Sequence, residues 1–306
     1  MPIRALSLAL AALLIVAAPA AAKSKTETAT RGQVTATLSY DYKQTRYGTS
    51  DFTNIKVAIS RAGVQLVDKT LGPECRYCTP WPAGGAGDKS PSVFVRDLDA
   101  DGEPEVLVDL YTGGANCCFY TETWRFDDVQ NRYVEKVLRP GLSFPYTLKD
   151  LNNDHVPEFV SYDYRFAYKY GSNADTPRPL RIFDWNSGRL LDVTIGYPKM
   201  AAREAAEYYR AYLKYRKVKD ISVRGLLAAY LADSYNAKNG RVAWRRVVAA
   251  YRRGDVDKKF PGESGPHGRA YLMSLRSFLK KLGYLRTTTV RPESAGAARR
   301  GPSEVR

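Results

Sequence analysis

Two stretches of the chain, 53 residues apart, carry the same order of acidic, turn and apolar residues, and no other feature restricts the fold as strongly. The first runs "VFVRDLDADGEPEVLVDLYTGGANCCFYTETWRFDDVQNRYVEKV" and the second "YTLKDLNNDHVPEFVSYDYRFAYKYGSNADTPRPLRIFDWNSGRLLDVT". Each opens on an acidic loop, continues through Pro-Glu into an apolar strand, and closes on a hairpin with an aromatic-rich arm. Alternation of period two with Val, Thr, Tyr and Phe predicts three or four short strands per copy. A copy of that size cannot bury its own apolar face. The two copies must therefore pack on each other and on the strands predicted at 33–42 and on either side of the turn at Arg61–Gly63.

The repeat occupies residues 91–197 of a chain whose other parts read differently. Residues 1–22 combine Arg4, an apolar run from Ala5 to Ala18, Pro19 and three small residues, the layout of a cleaved export signal. The run is too short for an ordinary membrane span, and no later window approaches one. Residues 23–90 hold N-terminal strands and a Pro/Gly-rich cysteine loop. After Pro198 the period becomes 3.6, and residues 198–286 predict four amphipathic helices, with Asp220 as a cap for the second and Gly254 and Gly283 at helix ends. Residues 287–306 read as a flexible basic tail. The expected fold class is α+β: a β-domain of two propeller-blade-like units, forming a partial propeller or a sandwich-like body, followed by an α-helical domain.

The acidic loops carry the chemistry. In "DLDADGEPE" the carboxylates of Asp97, Asp99, Asp101, Glu103 and Glu105 alternate, with Gly102 at the bend. Ca²⁺ requires six to eight oxygens at about 2.3–2.6 Å, and alternate side chains with one backbone carbonyl can wrap it. Counting from Asp97, Glu103 at the seventh position offers its carbonyl and leaves its carboxylate to solvent. The second loop repeats the register with Asp150, Asn152, Asp154, the carbonyl of Val156, and Glu158, but has His155 at the bend. An EF-hand is excluded, because its twelfth position is Val108 or Ser161 here and strands, not helices, follow the loops. The alternative to a cation is a solvated acidic turn.

This motif, followed by a strand and repeated, resembles the FG-GAP or VCBS (integrin-propeller-like) repeat. The resemblance covers roughly residues 91–195. It implies Ca²⁺ in a structural role, bound by Asp97, Asp99, Asp101, Glu103 and Glu105 and by Asp150, Asn152, Asp154, Val156 and Glu158.

Cys75, Cys78, Cys117 and Cys118 form an even set, which in an exported chain predicts disulfides of open connectivity. The charge divides sharply: residues 23–198 hold 21 basic and 23 acidic residues, residues 199–306 hold 25 and 9. Basic residues interleaved with Tyr208, Tyr209, Tyr212, Tyr215, Tyr230, Tyr235 and Tyr251 suit a polyanion, and export favours an anionic cell-wall component or lipid surface over nucleic acid. The other reading makes the tyrosines core and the cations a solvated face. Catalytic groups are sparse, with two histidines, His155 and His267, and no nucleophile motif. The expectation is a secreted calcium-binding module that engages an unknown protein or cell-surface polymer without catalysis. A secreted hydrolase with an unrecognised site, or a cell-wall polyanion binder acting through the basic helices, is the alternative.

Overall fold

A computed structural model describes residues 22–45, 50–72, 78–81, 91–112, 119–139, 145–173, 176–218, 221–258 and 265–285. The expectations for the export signal, the C-terminal tail, the Asp220 cap, Cys75, Cys117 and Cys118 lie outside these residues. Cys78, the one cysteine among the described residues, is not a free thiol.

The first sheet is an antiparallel meander of β1 (Lys23–Arg31), β2 (Val34–Gln44), β3 (Ser50–Arg61) and β4 (Val64–Thr70). Alternation places Val34, Ala36, Leu38 and Tyr40 of β2 inward. Strand β1 was not legible, because "KSKTETATR" fully buries only Glu27, with Ala29 partly buried on the same face. The Glu27 carboxylate accepts hydrogen bonds from the Tyr40 hydroxyl (2.7 Å) and the Ser92 N–H (2.6 Å), so a polar edge strand is fixed by hydrogen bonds rather than by apolar alternation.

The second sheet comprises β5 (Thr79–Pro80), β6 (Val93–Arg96), β7 (Glu105–Tyr111), β8 (Phe119–Asp127) and β9 (Arg132–Leu138). The third comprises β10 (Thr147–Lys149), β11 (Glu158–Tyr162), β12 (Leu180–Asn186) and β13 (Arg189–Asp192). All pairings are antiparallel, and the sequence repeat is a repeat of register: Arg96 lies opposite Glu105, and Lys149 opposite Glu158. Strand β7 explains its own apolar run. Val106, Val108 and Leu110 face the first sheet, in one cluster with Val34, Leu38, Val57 and Trp124. Leu107 faces the other way, with Leu98, Leu138, Phe159, Phe183 and Trp185 of the third sheet's cluster. The second sheet is therefore buried on both faces, and the three sheets stack in a row without closing into a propeller.

A buried carboxylate ties the second sheet to the segment that leads into the third. Asp109 accepts hydrogen bonds from the Thr121 hydroxyl (2.5 Å) and from the hydroxyl of Tyr146, just ahead of β10 (2.9 Å). Burial pushes the Asp109 carboxyl up to about 6, against the pull of the two hydroxyl donors. Its folded value thus lies above the unfolded one, so the folded state binds the extra proton between about pH 4 and 6 and stability falls as pH rises through that window. Asp109→Asn removes the titration but keeps an acceptor. Urea melts at about pH 4 and about pH 7 are expected to move in the variant's favour by about 2 kcal/mol on going to the higher pH. A constant difference between variant and wild type would refute the assignment.

The helical region holds α1 (Pro198–Tyr215), α2 (Arg224–Asn236), α3 (Gly240–Arg252) and α4 (Gly268–Lys281). Gly254 and Gly283, both with positive φ, follow α3 and α4. Helix α2 departs from the expected amphipathic pattern: nearly every residue is buried, because the other helices and the segment after β11 enclose it. The tyrosines divide between core and polar tips. Tyr212 is buried and donates to Asp255 (2.5 Å), while Tyr208 donates to the Arg178 carbonyl (2.8 Å). The helices meet the third sheet through Asp233 of α2, whose carboxylate accepts the Leu180 N–H at 3.1 and 3.3 Å, and through Tyr284, which donates to Asp163 (2.9 Å). Among the described residues, no helix is long and apolar enough to cross a membrane.

Candidate metal centre

The two acidic loops join β6 to β7 and β10 to β11, and share one backbone path. Ala100 and Gly102 take positive φ in the first, Asn153 and His155 in the second. A left-handed Ala or His costs on the order of 1 kcal/mol, so something must hold each loop in shape. Part of that hold is common to both. Glu105 accepts the Leu98 N–H (3.0 Å), and Glu158 accepts the Leu151 N–H (2.7 Å). Asp97 accepts the Gly102 N–H (3.2 Å), and Asp150 the His155 N–H (3.0 Å). Asp101 accepts from Glu103 N–H (2.8 Å), and Asp154 from Val156 N–H (2.9 Å).

The loops differ in what remains. In the first, one ligand oxygen each from Asp97, Asp99 and Glu105 lies within 4.8 Å of the others, the one such group of His, Cys, Asp or Glu among the described residues. Asp97 and Glu105 each have one buried oxygen, Oδ1 and Oε1, without a hydrogen bond among the described residues. Glu105 is fully buried. Burial, helped by the nearby charges of Asp99 and Asp101, pushes its carboxyl up to about 8 against the pull of the Leu98 N–H and of the Trp185 indole N–H. Asp99 is also raised, first by burial and then by Asp101, with Arg125 opposing. Carboxylates held together at such an electrostatic disadvantage fit a hard cation.

Asp101 and Glu103 lie outside this triad. Asp101 Oδ2 is 3.7 Å from Arg125. Glu103, whose carboxylate was expected to face solvent, instead forms a 2.6 Å ion pair with Arg61 of β3, which also stacks over Phe126 at 4.4 Å. The loop is thereby tied to the first sheet. Neither arginine was singled out in the sequence, since partners 42 and 24 residues away leave no local signal.

The second loop is closed by hydrogen bonds of its own. Asn152 donates to Asp154 (3.1 Å) and accepts its N–H (3.0 Å), while Val156 is buried. Glu158 Oε1, the counterpart of the unpartnered Glu105 oxygen, receives the Tyr197 hydroxyl at 2.5 Å. Tyr197 immediately precedes α1, so the helical region supplies this contact. The side chains of Asp150, Asp154 and Glu158 do not converge as the first triad does.

Comparison with known proteins corrects the expected family. Residues 201–283 match the family model described as the sll0997 C-terminal domain. The chain is 27% identical over 268 residues, 83% of its length and 74% of the relative's, to the "Probable thylakoid lumen protein sll0997" of Synechocystis sp.. No solved structure matches. These findings overturn the FG-GAP/VCBS assignment and, with it, the secreted calcium-binding interaction module. A short alternating acidic hairpin is a local solution to a tight turn and does not by itself carry kinship. The family match falls instead on the helices, which the resemblance never covered.

Proposed function

We propose that the chain serves in a lumenal compartment, as its relative's description states of that protein, as a scaffold presenting the helical region on a β-body set by one Ca²⁺ ion. The export-signal layout of residues 1–22 supports the compartment. In this reading the stacked sheets form an open row of blade-like units, and the cation shapes the first acidic loop without taking part in a reaction. The observation that carries it is the convergence of Asp97 and Asp99 on the fully buried carboxylate of Glu105. Three carboxylates supply part of the shell that Ca²⁺ requires, and loop carbonyls and water would supply the rest. The second loop takes no ion, because Tyr197 already satisfies the matching glutamate oxygen.

Calorimetric Ca²⁺ titration is expected to give one site with Kd on the order of 10⁻⁴–10⁻³ M. Glu105→Gln should weaken it at least tenfold, and Asp150→Asn should leave it unchanged. Two sites, or equal binding by wild type and Glu105→Gln, would overturn the reading.

A further inference from the structure

Helices α3 and α4 contain no acidic residue, although they include Arg241, Arg245, Arg246, Arg252, Arg269, Arg276, Lys280 and Lys281. On α4 the residues Arg269, Met273, Arg276 and Lys280 follow the spacing i, i+4, i+7, i+11, which places them on one stripe. All four are exposed, Met273 at 67%. At 1.5 Å per residue the stripe is about 17 Å long. On α3, Arg241 and Arg245 occupy adjacent turns of one face, with Val242 43% exposed beside them. Tyr235, at the end of α2, joins the two helices. Gly240 lies so close that a Cβ there would meet the Tyr235 ring at 2.2 Å, and the charges of Arg276 and Arg241 both pull on its hydroxyl. Among the described residues, no carboxylate pairs with Arg241, Arg245, Arg269, Arg276 or Lys280.

We propose that this α3–α4 face docks the protein on the surface of an anionic lipid bilayer. The occupant follows from charge and shape. A surface of one sign spread along two helices suits a continuous sheet of negative headgroups, whereas an acidic protein partner would be matched by cations clustered at defined points. Met273 and Val242 stand among the cations, where a bilayer interface buries apolar side chains while Arg and Lys reach the headgroups. Binding is peripheral, since no described helix is long and apolar enough to cross. The inference is independent of the cation site, which lies in the β-body.

Sedimentation of the processed full chain with vesicles tests it. Vesicles of phosphatidylcholine carrying about one third phosphatidylglycerol should bind it, and pure phosphatidylcholine vesicles should not. Binding should fall steeply with salt. Each cation contributes about fivefold, so Arg241→Gln/Arg245→Gln/Arg276→Gln should lose about a hundredfold. These side chains are exposed, and circular dichroism is expected to show the fold retained. The control Lys199→Gln/Arg203→Gln/Arg210→Gln removes as many charges from α1 and should bind within a fewfold of wild type. Equal binding to both vesicle types, equal losses in the two triple variants, or binding to polyglutamate without binding to anionic vesicles would overturn the proposal.

Discussion

In about 10 mM Ca²⁺ the protein is expected to melt 5–10 °C above its midpoint in chelator. The size follows from linkage: at a Kd near 10⁻⁴ M the ion is in about hundredfold excess, which stabilises the folded state by about 2.7 kcal/mol. For a chain of this length each kcal/mol moves the midpoint by about 2–4 °C. Glu105→Gln should melt at one temperature in both buffers, because it removes the buried oxygen from the convergent triad and leaves Asp97 and Asp99 too few to hold the ion. Tyr197→Phe should keep the full Ca²⁺ response while lowering both midpoints, since it frees only the Glu158 oxygen of the second loop. Equal wild-type midpoints in the two buffers would remove the ion from this account.

Gly240→Ala is expected to destabilise the protein by about 2–3 kcal/mol, the reverse of what a helical glycine ordinarily does. In an open helix the change would stabilise by up to about 1 kcal/mol. Here a methyl at the first residue of α3 would sit 2.2, 2.4 and 2.6 Å from Cδ1, Cε1 and Cγ of Tyr235. The ring is partly buried against the helical core, so turning it away from the methyl would give up that packing. In a Tyr235→Ala background the same Gly240→Ala change should cost little in urea denaturation, because the ring it would meet is gone. If Gly240→Ala alone raised the urea midpoint, the close approach of α3 to Tyr235 would be wrong.

The division into strands and helices was legible where one period held long enough to point at one core. The alternation of β2, the run of β7 and the 3.6 spacing of α1, α3 and α4 each encode a face, and the 53-residue offset survives as a register in Arg96–Glu105 and Lys149–Glu158. Strand β1 escaped because the one side chain it fully buries is a glutamate. The burial of α2 on all sides escaped because a helix of alanines, leucines and tyrosines looks amphipathic until its neighbours are known. The acidic loop was legible in composition and in bend. Where its side chains point was legible only in part, since Asp97, Asp99 and Glu105 converge while the Glu103 carboxylate answers to Arg61 and Asp101 to Arg125. Those two arginines and Tyr197 act across distances that no local pattern records. The expected family failed for a related reason: two acidic loops in one register, each followed by a strand, were read as ancestry, while the helices that match a family model carried no short motif at all.

The Tyr197–Glu158 contact bears on how the protein senses its surroundings. Of two loops drawn to one plan, one is fastened by a side chain that travels with the polypeptide, the Tyr197 hydroxyl on Glu158. On the reading proposed above, the other is fastened by an ion from the medium, so dissolved calcium would act on the loop that Arg61 ties to the first sheet. The loop next to the helices would then hold its shape without an ion.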